Sequence, residues 1–474
     1  MMSQPNILLI VADQLRKTAV GAYGNRDVKT PVIDKLSREG VTFSNSVSAS
    51  PVCAPYRTSL QSGLYPHQHG VRSNADLFKP SFKGLAEYFS EAGYETCFVG
   101  KSHFGLDEIE EKDGWVRPEH RLGWKHWCGT GGDHHWDTPI YDERGMLDTK
   151  YYGRYGAEVR SEIAMDFIER HQSKPWLLQL NYSEPHIATM PALYGMPATR
   201  EYIRELNKSL ELGLTEEMLN VANPLAFCGT FPQSLLTQLL PQRYLDMYGE
   251  TELTLDPNVP ERFRKLTSIF LKECYAMITC LDEQIGRVMD CLERTGESRN
   301  TIVIFTSDHG DMLSDNFLRE KSLPYQNAYR TPFIAWGPEA GVPSGKGTDA
   351  LINSVDVMPT LLELAGIKPA TNLPGVSQAN WITSGEGVCQ QDVLLGVGNW
   401  RALFDGTYFY AVEKRDSTVK AIRLIHAQND PYESENLLDD AFEGVYVELQ
   451  KRMHERLFVR LAEVQDREFA DTDR

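Results

Sequence analysis

Short runs that are mostly apolar, or alternate as 41–47 does, take turns along this chain with longer stretches whose apolar residues recur every three or four positions, and nothing else in it restricts the fold as much. Residues 6–12, 41–47, 96–99, 176–182 and 301–306 read as strands. Between them, Thr30 and Pro31 open a helix that Gly40 closes, residues 85–92 form a second that Gly93 stops, and residues 157–170 form a third. The clearest helix covers residues 263–295, where Phe270, Cys274, Met277, Leu281, Ile285, Val288 and Leu292 share one face and Gly296 ends the run. Another covers residues 355–365. Strands alternating with helices build βαβ units and a largely parallel sheet. Beyond residue 375 the pattern changes to short strand-like runs at 393–397, 408–412 and 422–427, then a turn-rich stretch and a helix over 445–461. That part reads as a small antiparallel sheet covered by one helix.

With 41% apolar and 24% charged residues, the 474-residue chain can bury a sizeable core. The expected organisation is a large catalytic domain over 1–375 and a smaller α+β subdomain over 376–474. Within the first, residues 190–260 carry many prolines and broken amphipathic pieces, as a variable, substrate-facing insertion would. The net charge of −18 repels phosphate backbones and anionic membranes, so neither nucleic acid nor membrane is an expected partner. No apolar run approaches the roughly 20 residues that span a bilayer. Nothing basic precedes the apolar run at 7–12, so the chain as given reads as cytoplasmic, and a chain trimmed of a leader would read the same. The eight cysteines show neither disulfide-scaffold nor zinc spacing.

In parallel sheets, ligands bind beyond the carboxyl ends of strands. Asp13 and Asp308-His309 each fall just past an expected strand, so both can reach one site. A lone cysteine is usually a buried structural thiol. Cys53, however, stands in Cys53-Ala54-Pro55-Tyr56-Arg57, and C-x-P-x-R near the start of a hydrolase is a specific signal. It is the sequence by which sulfatases have a cysteine oxidised to formylglycine. The chain resembles the type I, formylglycine-dependent sulfatases of the alkaline-phosphatase-like superfamily over nearly its whole length. The resemblance also rests on Gly24-Asn25 through Thr30-Pro31, Asp34, Leu36, Gly40-Val41 and Phe43, and on Gly100-Lys101-Ser102-His103 and Pro185-His186. Residues 281–310, then Lys321 with Arg330 and Pro332, and finally Asp430-Pro431-Tyr432-Glu433 with Asn436-Leu437 complete it.

The resemblance implies an α/β fold: a large, mostly parallel sheet sandwiched by helices, with a smaller C-terminal antiparallel sheet. It implies removal of sulfate from an organic sulfate monoester. One hydroxyl of a hydrated formylglycine at position 53 attacks sulfur, and the other then expels sulfate as the aldehyde re-forms. It implies a divalent cation held by Asp13, Gln14, residue 53, Asp308 and His309. The oxygen-rich set suits Ca²⁺, with Mg²⁺ or Mn²⁺ as the other choices. Gln14 is a departure, since many sulfatases carry a second aspartate there. Lys101 and Lys321 are expected to hold sulfate oxygens, and Arg57 to orient residue 53. His103 is expected to assist sulfate release, and His186 to protonate the leaving alcohol or contact the sulfate.

Trp124, Lys125, His134, His135 and Trp136 lie in an aromatic, polar segment that suits a sugar, so the expected substrate is a sulfated carbohydrate. A structural aromatic cluster is the equally weighted alternative. Choline sulfate is another substrate, for which the same tryptophans can build an aromatic cage. A phosphonate or phosphodiester hydrolase of the same superfamily is the nearest rival and shares the Asp-Gln start. The expected maturation partner is a formylglycine-generating enzyme.

Overall fold

The computed structural model describes residues 4–105, 115–132, 135–136, 138–141, 146–186, 208, 240–313, 315–318, 320–369, 372–387 and 389–470. Most of the expected 190–260 insertion, and His134, therefore lie outside the described residues. In chain order the strands of the large sheet are β1 (Asn6–Asp13), β2 (Val41–Val47), β3 (Glu95–Lys101), β4 (His126–Thr130), β5 (Trp176–Pro185), β6 (Thr301–Ser307), β7 (Phe333–Trp336) and β8 (Lys346–Asn353). Their spatial order is β4-β3-β5-β1-β6-β7-β2-β8. Every pairing is parallel except the two made by β7. The sheet is thus mostly parallel, as expected.

Every residue of β1 and β5 is buried, as central strands covered on both faces must be. Alternate side chains of β1 serve opposite layers. Leu8, Ile10 and Ala12 join a core with the helices Gly156–Arg170 and Arg264–Thr295. Ile7, Leu9 and Val11 join another with Ala54, Tyr56 and Leu60 of the helix Cys53–Ser62 and Met358 and Leu361 of the helix Ser354–Leu364. Burying one such Leu or Ile stabilises the fold by about 1.5–3 kcal/mol, so the helices on both faces are tightly held.

A second sheet follows: β9 (Val393–Val397), β10 (Trp400–Phe404), β11 (Tyr408–Arg415) and β12 (Thr418–His426), antiparallel throughout. The helix Val447–Glu463 lays Met453, Leu457 and Leu461 on it. The large sheet ends at Asn353 and the small one begins at Val393, and we keep the proposed domain boundary, near residue 375, in that interval. Among the described residues no helix is long and apolar enough to cross a membrane.

Four strands had no forecast. β4, with the sequence HWCGT, is short and hides in the aromatic segment; β7 is four residues between Pro332 and Gly337; β8 and β10 mix polar and apolar residues without clear alternation. The helix Cys53–Ser62 had no period to read because all ten of its residues are buried.

The helix Pro31–Arg38 starts on a carboxylate of the long helix. Asp282 accepts from Val32 N at 3.1 Å and from Ile33 N at 2.8 Å. These amides have no intrahelical partner of their own. Asp282→Ala orphans both, one of them fully buried, and is expected to lower unfolding free energy by about 2–4 kcal/mol. A denaturation midpoint equal to the parent's would show that water replaces the carboxylate.

Candidate active site

The parallel register builds the centre of the site. β1 pairs with β6 from Asn6↔Thr301 to Ala12↔Ser307. One step further along both strands, Asp13 and Asp308 must lie side by side. β5 pairs with the other edge of β1, setting Asp13 opposite Pro185, and β3 pairs with β5. Four neighbouring parallel strands therefore deliver Lys101, His186, Asp13 and Asp308 at or just past their carboxyl ends, where ligands of such sheets bind.

Two glycines make the approach of these strand ends feasible. Gly100 has φ +93°, and a Cβ there would sit 1.8 Å from the Asn181 carbonyl oxygen on β5. Gly310, behind His309, would place one 2.0 Å from the Asn327 carbonyl oxygen. Neither position admits a side chain without moving backbone.

Cys53 is the first residue of its helix and is 1% exposed. Its Sγ lies 3.2 Å from His309 Nε2 and 4.0 Å from Asp13 Oδ1. This sulfur marks where the oxygens of a formylglycine would stand. Asn74 Oδ1 accepts from Ala54 N at 3.0 Å, tying down the start of the helix. Arg57, one turn on, spans the two carboxylates: Nη2 donates to Asp13 Oδ2 at 3.2 Å and to Asp308 Oδ2 at 2.9 Å, and Nη1 to the Lys101 carbonyl at 2.9 Å. Lys101 Nζ donates to Asp13 Oδ2.

Gln14, at φ +63°, donates its amide N–H to Asp308 Oδ1 at 3.0 Å. Lys321 Nζ donates to Gln14 Oε1 at 2.6 Å and lies 2.9 Å from His186 Nε2, which accepts a hydrogen bond from it because an ammonium can only donate. Lys321 thus joins the cluster from a loop far away in sequence.

The electrostatics favour bound charge. Burial pushes the Cys53 thiol up, but Lys101 and Lys321 outweigh it and hold the thiol well below its ordinary value. Burial also works against ionised Asp13, yet Lys101, His186 and Arg57 hold it well below the usual carboxylate range. Asp308 is pushed up by burial and by Asp13 beside it. Two buried carboxylates in conflict are relieved by a cation between them.

The donor set fits one. Ligand atoms of Asp13, Cys53, Asp308 and His309 all lie within 4.8 Å of one another, and all four residues are buried. The Nδ1 of His309 faces the Gly310 carbonyl at 2.9 Å, so it carries the proton and leaves the Nε2 lone pair for a metal.

The remaining expected residues divide. His103, at φ +40° beyond β3, buries an Nδ1 that has no hydrogen-bond partner among the described residues. His135 is 5% exposed, with Nδ1 3.3 Å from Glu184 Oε1 and Nε2 2.8 Å from the His186 carbonyl oxygen. It braces the turn that carries His186 from behind. Trp136 is half-buried and meets Tyr155 edge-on at 5.3 Å.

Trp124 and Lys125 are corrections. Trp124 is a core residue whose Nε1 donates to Gln61 Oε1 at 3.0 Å. Lys125 Nζ donates to the Tyr94 carbonyl at 2.7 Å. Both precede β4 and flank the start of β3, whereas the site lies at the end of β3, roughly 20 Å along the strand. Their aromatic neighbour Trp127 stacks on Phe98 at 4.6 Å and 13°. The structural aromatic cluster is what this part of the segment is.

The family profile described as Sulfatase matches residues 5–367, and that described as N-sulphoglucosamine sulphohydrolase, C-terminal, matches residues 316–463. The chain belongs to the sulfatase family. It is a type I sulfatase of the alkaline-phosphatase-like fold, and so a sulfuric ester hydrolase. This sulfatase is 29% identical to an ulvan-active sulfatase of Formosa agariphila, over 99% of its own chain and 83% of that protein. It is 25% identical to an N-acetylglucosamine-6-O-sulfatase of Bacteroides thetaiotaomicron, over 99% of its chain and 88% of the other. The solved yidJ protein of Bacteroides fragilis shares its fold with a TM-score of 0.80 at 24% identity, covering 98% of this sulfatase and 96% of that chain. Sulfatases in general use a metal and a formylglycine, and the Asp13, Cys53, Asp308 and His309 group is where this one can hold the ion.

Proposed function

We propose that this sulfatase removes sulfate from a sulfated carbohydrate, using a formylglycine formed from Cys53 by a formylglycine-generating enzyme and a Ca²⁺ ion held by Asp13, Gln14, residue 53, Asp308 and His309. The observation that carries the reading is the meeting of Cys53 with two carboxylates, one imidazole and two lysines at the ends of neighbouring parallel strands. The bound cation supplies charge that offsets the anionic ester and acidity at the nucleophile. Residue 53 presents that nucleophile from the N-terminus of its helix, and Arg57 keeps the carboxylates in place around it. Lys101 and Lys321 neutralise the sulfate oxygens as charge moves onto them. His186, at the mouth of β5, contacts the sulfate or, once Lys321 has turned to the ester and Nε2 carries a proton, gives that proton to the departing alcohol, and His103 takes one from residue 53 when sulfate is released.

The carbohydrate class is supported by the sugar sulfates that both whole-length relatives named above act on. Trp136 and His134 stay as the proposed sugar-facing residues of the aromatic segment, and His135 as the residue that supports His186. The Asp13-Gln14 pair favours a second reading, a choline-sulfatase-like or phosphonate monoester hydrolase. Protein made together with a formylglycine-generating enzyme should be assayed on N-acetylglucosamine 6-sulfate, choline sulfate, an aryl sulfate and an aryl phosphonate ester. The sugar sulfate is expected to give the highest kcat/KM. A preference for choline sulfate or for the phosphonate transfers the assignment to that class.

A further inference from the structure

We propose that Asp311 is a positioning residue for this site: its carboxylate decides which end of the Gln14 amide faces the metal cluster, and it anchors the loop that presents Lys321. The inference rests on the sulfatase reading of the site given above. Asp311 lies two residues beyond His309 and is 4% exposed. Its Oδ2 accepts from Gln14 Nε2, and its Oδ1 accepts from Leu313 N at 2.8 Å and Glu320 N at 3.1 Å.

The amide of Gln14 has two chemically different ends, and its neighbours are charged oppositely. Nε2 meets the Asp311 carboxylate while Oε1 meets the Lys321 ammonium. Turning the amide over would set oxygen against carboxylate and N–H₂ against ammonium, exchanging two attractions for two repulsions. Asp311 therefore favours the orientation in which a lone pair, and not an N–H, is turned toward Lys321, which joins the cluster. A carboxylate at position 14 would present an oxygen in either orientation. A glutamine can do so only with an acceptor on its far side, and Asp311 is that acceptor.

The second hold is on the loop. Lys321 lies between two residues in the left-handed region, Glu320 at φ +67° and Ser322 at φ +69°. Such a loop keeps its shape only if its backbone groups are tied down. Asp311 takes Glu320 N, Met312 N donates to the Glu320 carbonyl at 3.0 Å, and Ser322 N donates to the Pro51 carbonyl at 3.0 Å. The indole of Trp400 in the small sheet closes the other side, donating to the Ser322 carbonyl at 3.0 Å.

A charge-exchange cycle tests the proposal. Asp311→Asn and Gln14→Glu are each nearly isosteric. The first sets two amides against each other and frees Gln14 to turn; the second sets two carboxylates face to face. Together they restore one donor and one acceptor, because the carboxylate now at position 14 accepts both from the amide now at position 311 and from Lys321. Each single variant is expected to lose about 30-fold in kcat/KM on the best substrate of the screen, and about as much in Ca²⁺ affinity of the metal-stripped protein by calorimetry. The double variant is expected within about 5-fold of the parent in both. Losses that add, or an Asp311→Asn variant equal to the parent in both readouts, overturn it. If the parent hydrolyses none of the sulfate esters, the functional reading fails, while the Ca²⁺ cycle still decides the role of Asp311.

Discussion

Cys53→Ala is expected to lower turnover by ~10⁵-fold or more, while the thermal midpoint and the secondary structure stay those of the parent. The substitution removes one atom, Sγ, that lies 3.2 Å from His309 Nε2 at the start of a wholly buried helix. Alanine fits the first turn of a helix, so the backbone has no reason to move. What disappears is the group that attacks sulfur in the proposed mechanism, and the lysines and a cation held around an absent nucleophile would do no more than bind the ester. Sulfate release within 100-fold of the parent's would remove residue 53 from the mechanism. Cys53→Ser separates attack from release. A serine hydroxyl can take the sulfuryl group but has no second hydroxyl to expel it, so one equivalent of alcohol should appear and the protein should remain sulfated.

Asp308→Ala is expected to remove both metal and activity, lowering kcat/KM by ~10⁴-fold. Asp308 accepts from Gln14 N at 3.0 Å, from His309 N at 2.9 Å and from the Arg57 Nε and Nη2 groups at 3.2 and 2.9 Å. Alanine strands those donors in a buried site and leaves Asp13 as the sole carboxylate of the cluster. Loss of one partner from a buried ionic group costs about 3–5 kcal/mol, so some loss of stability should accompany the loss of metal. Metal analysis after dialysis checks the first effect and an ester assay the second. Full metal content in the variant would show that Asp308 is not a ligand.

These two residues were readable from sequence for different reasons. Cys53 stands in a motif whose spacing is specific on its own. Asp308 follows a buried apolar run, and strand ends in a parallel sheet are where ligands go. The pairing of Asp308 with Asp13, however, needed the register of β1 against β6, which no local pattern states. Trp124 and Lys125 went wrong on the same ground: without β4 in view, nothing in their composition says that they lie at the opposite end of β3 from Lys101. Asp311 went unforeseen because its partners, Gln14 and Glu320, come from a distant strand end and from a loop without periodicity. The only signal was an acid three positions past Asp308, and exposed acids are common. The C-terminal sheet was legible as a class, yet the bond from Trp400 to Ser322, which makes it part of the site's scaffold, was not.

The complete burial of the helix Cys53–Ser62 bears on how the protein is made. Its ten residues lie between the large sheet and the helix Ser354–Leu364, which is synthesised some three hundred residues later. If an enzyme oxidises Cys53, as proposed above, it has to reach a C-x-P-x-R segment that the folded protein keeps buried. On that proposal conversion precedes closure, and each newly made copy runs a race between modification and folding. Copies that fold first are sealed with a thiol at position 53 and cannot be repaired without unfolding. On the same proposal the specific activity of a preparation is a record of that race, and folded copies that kept the thiol would have to be unfolded before they could be converted.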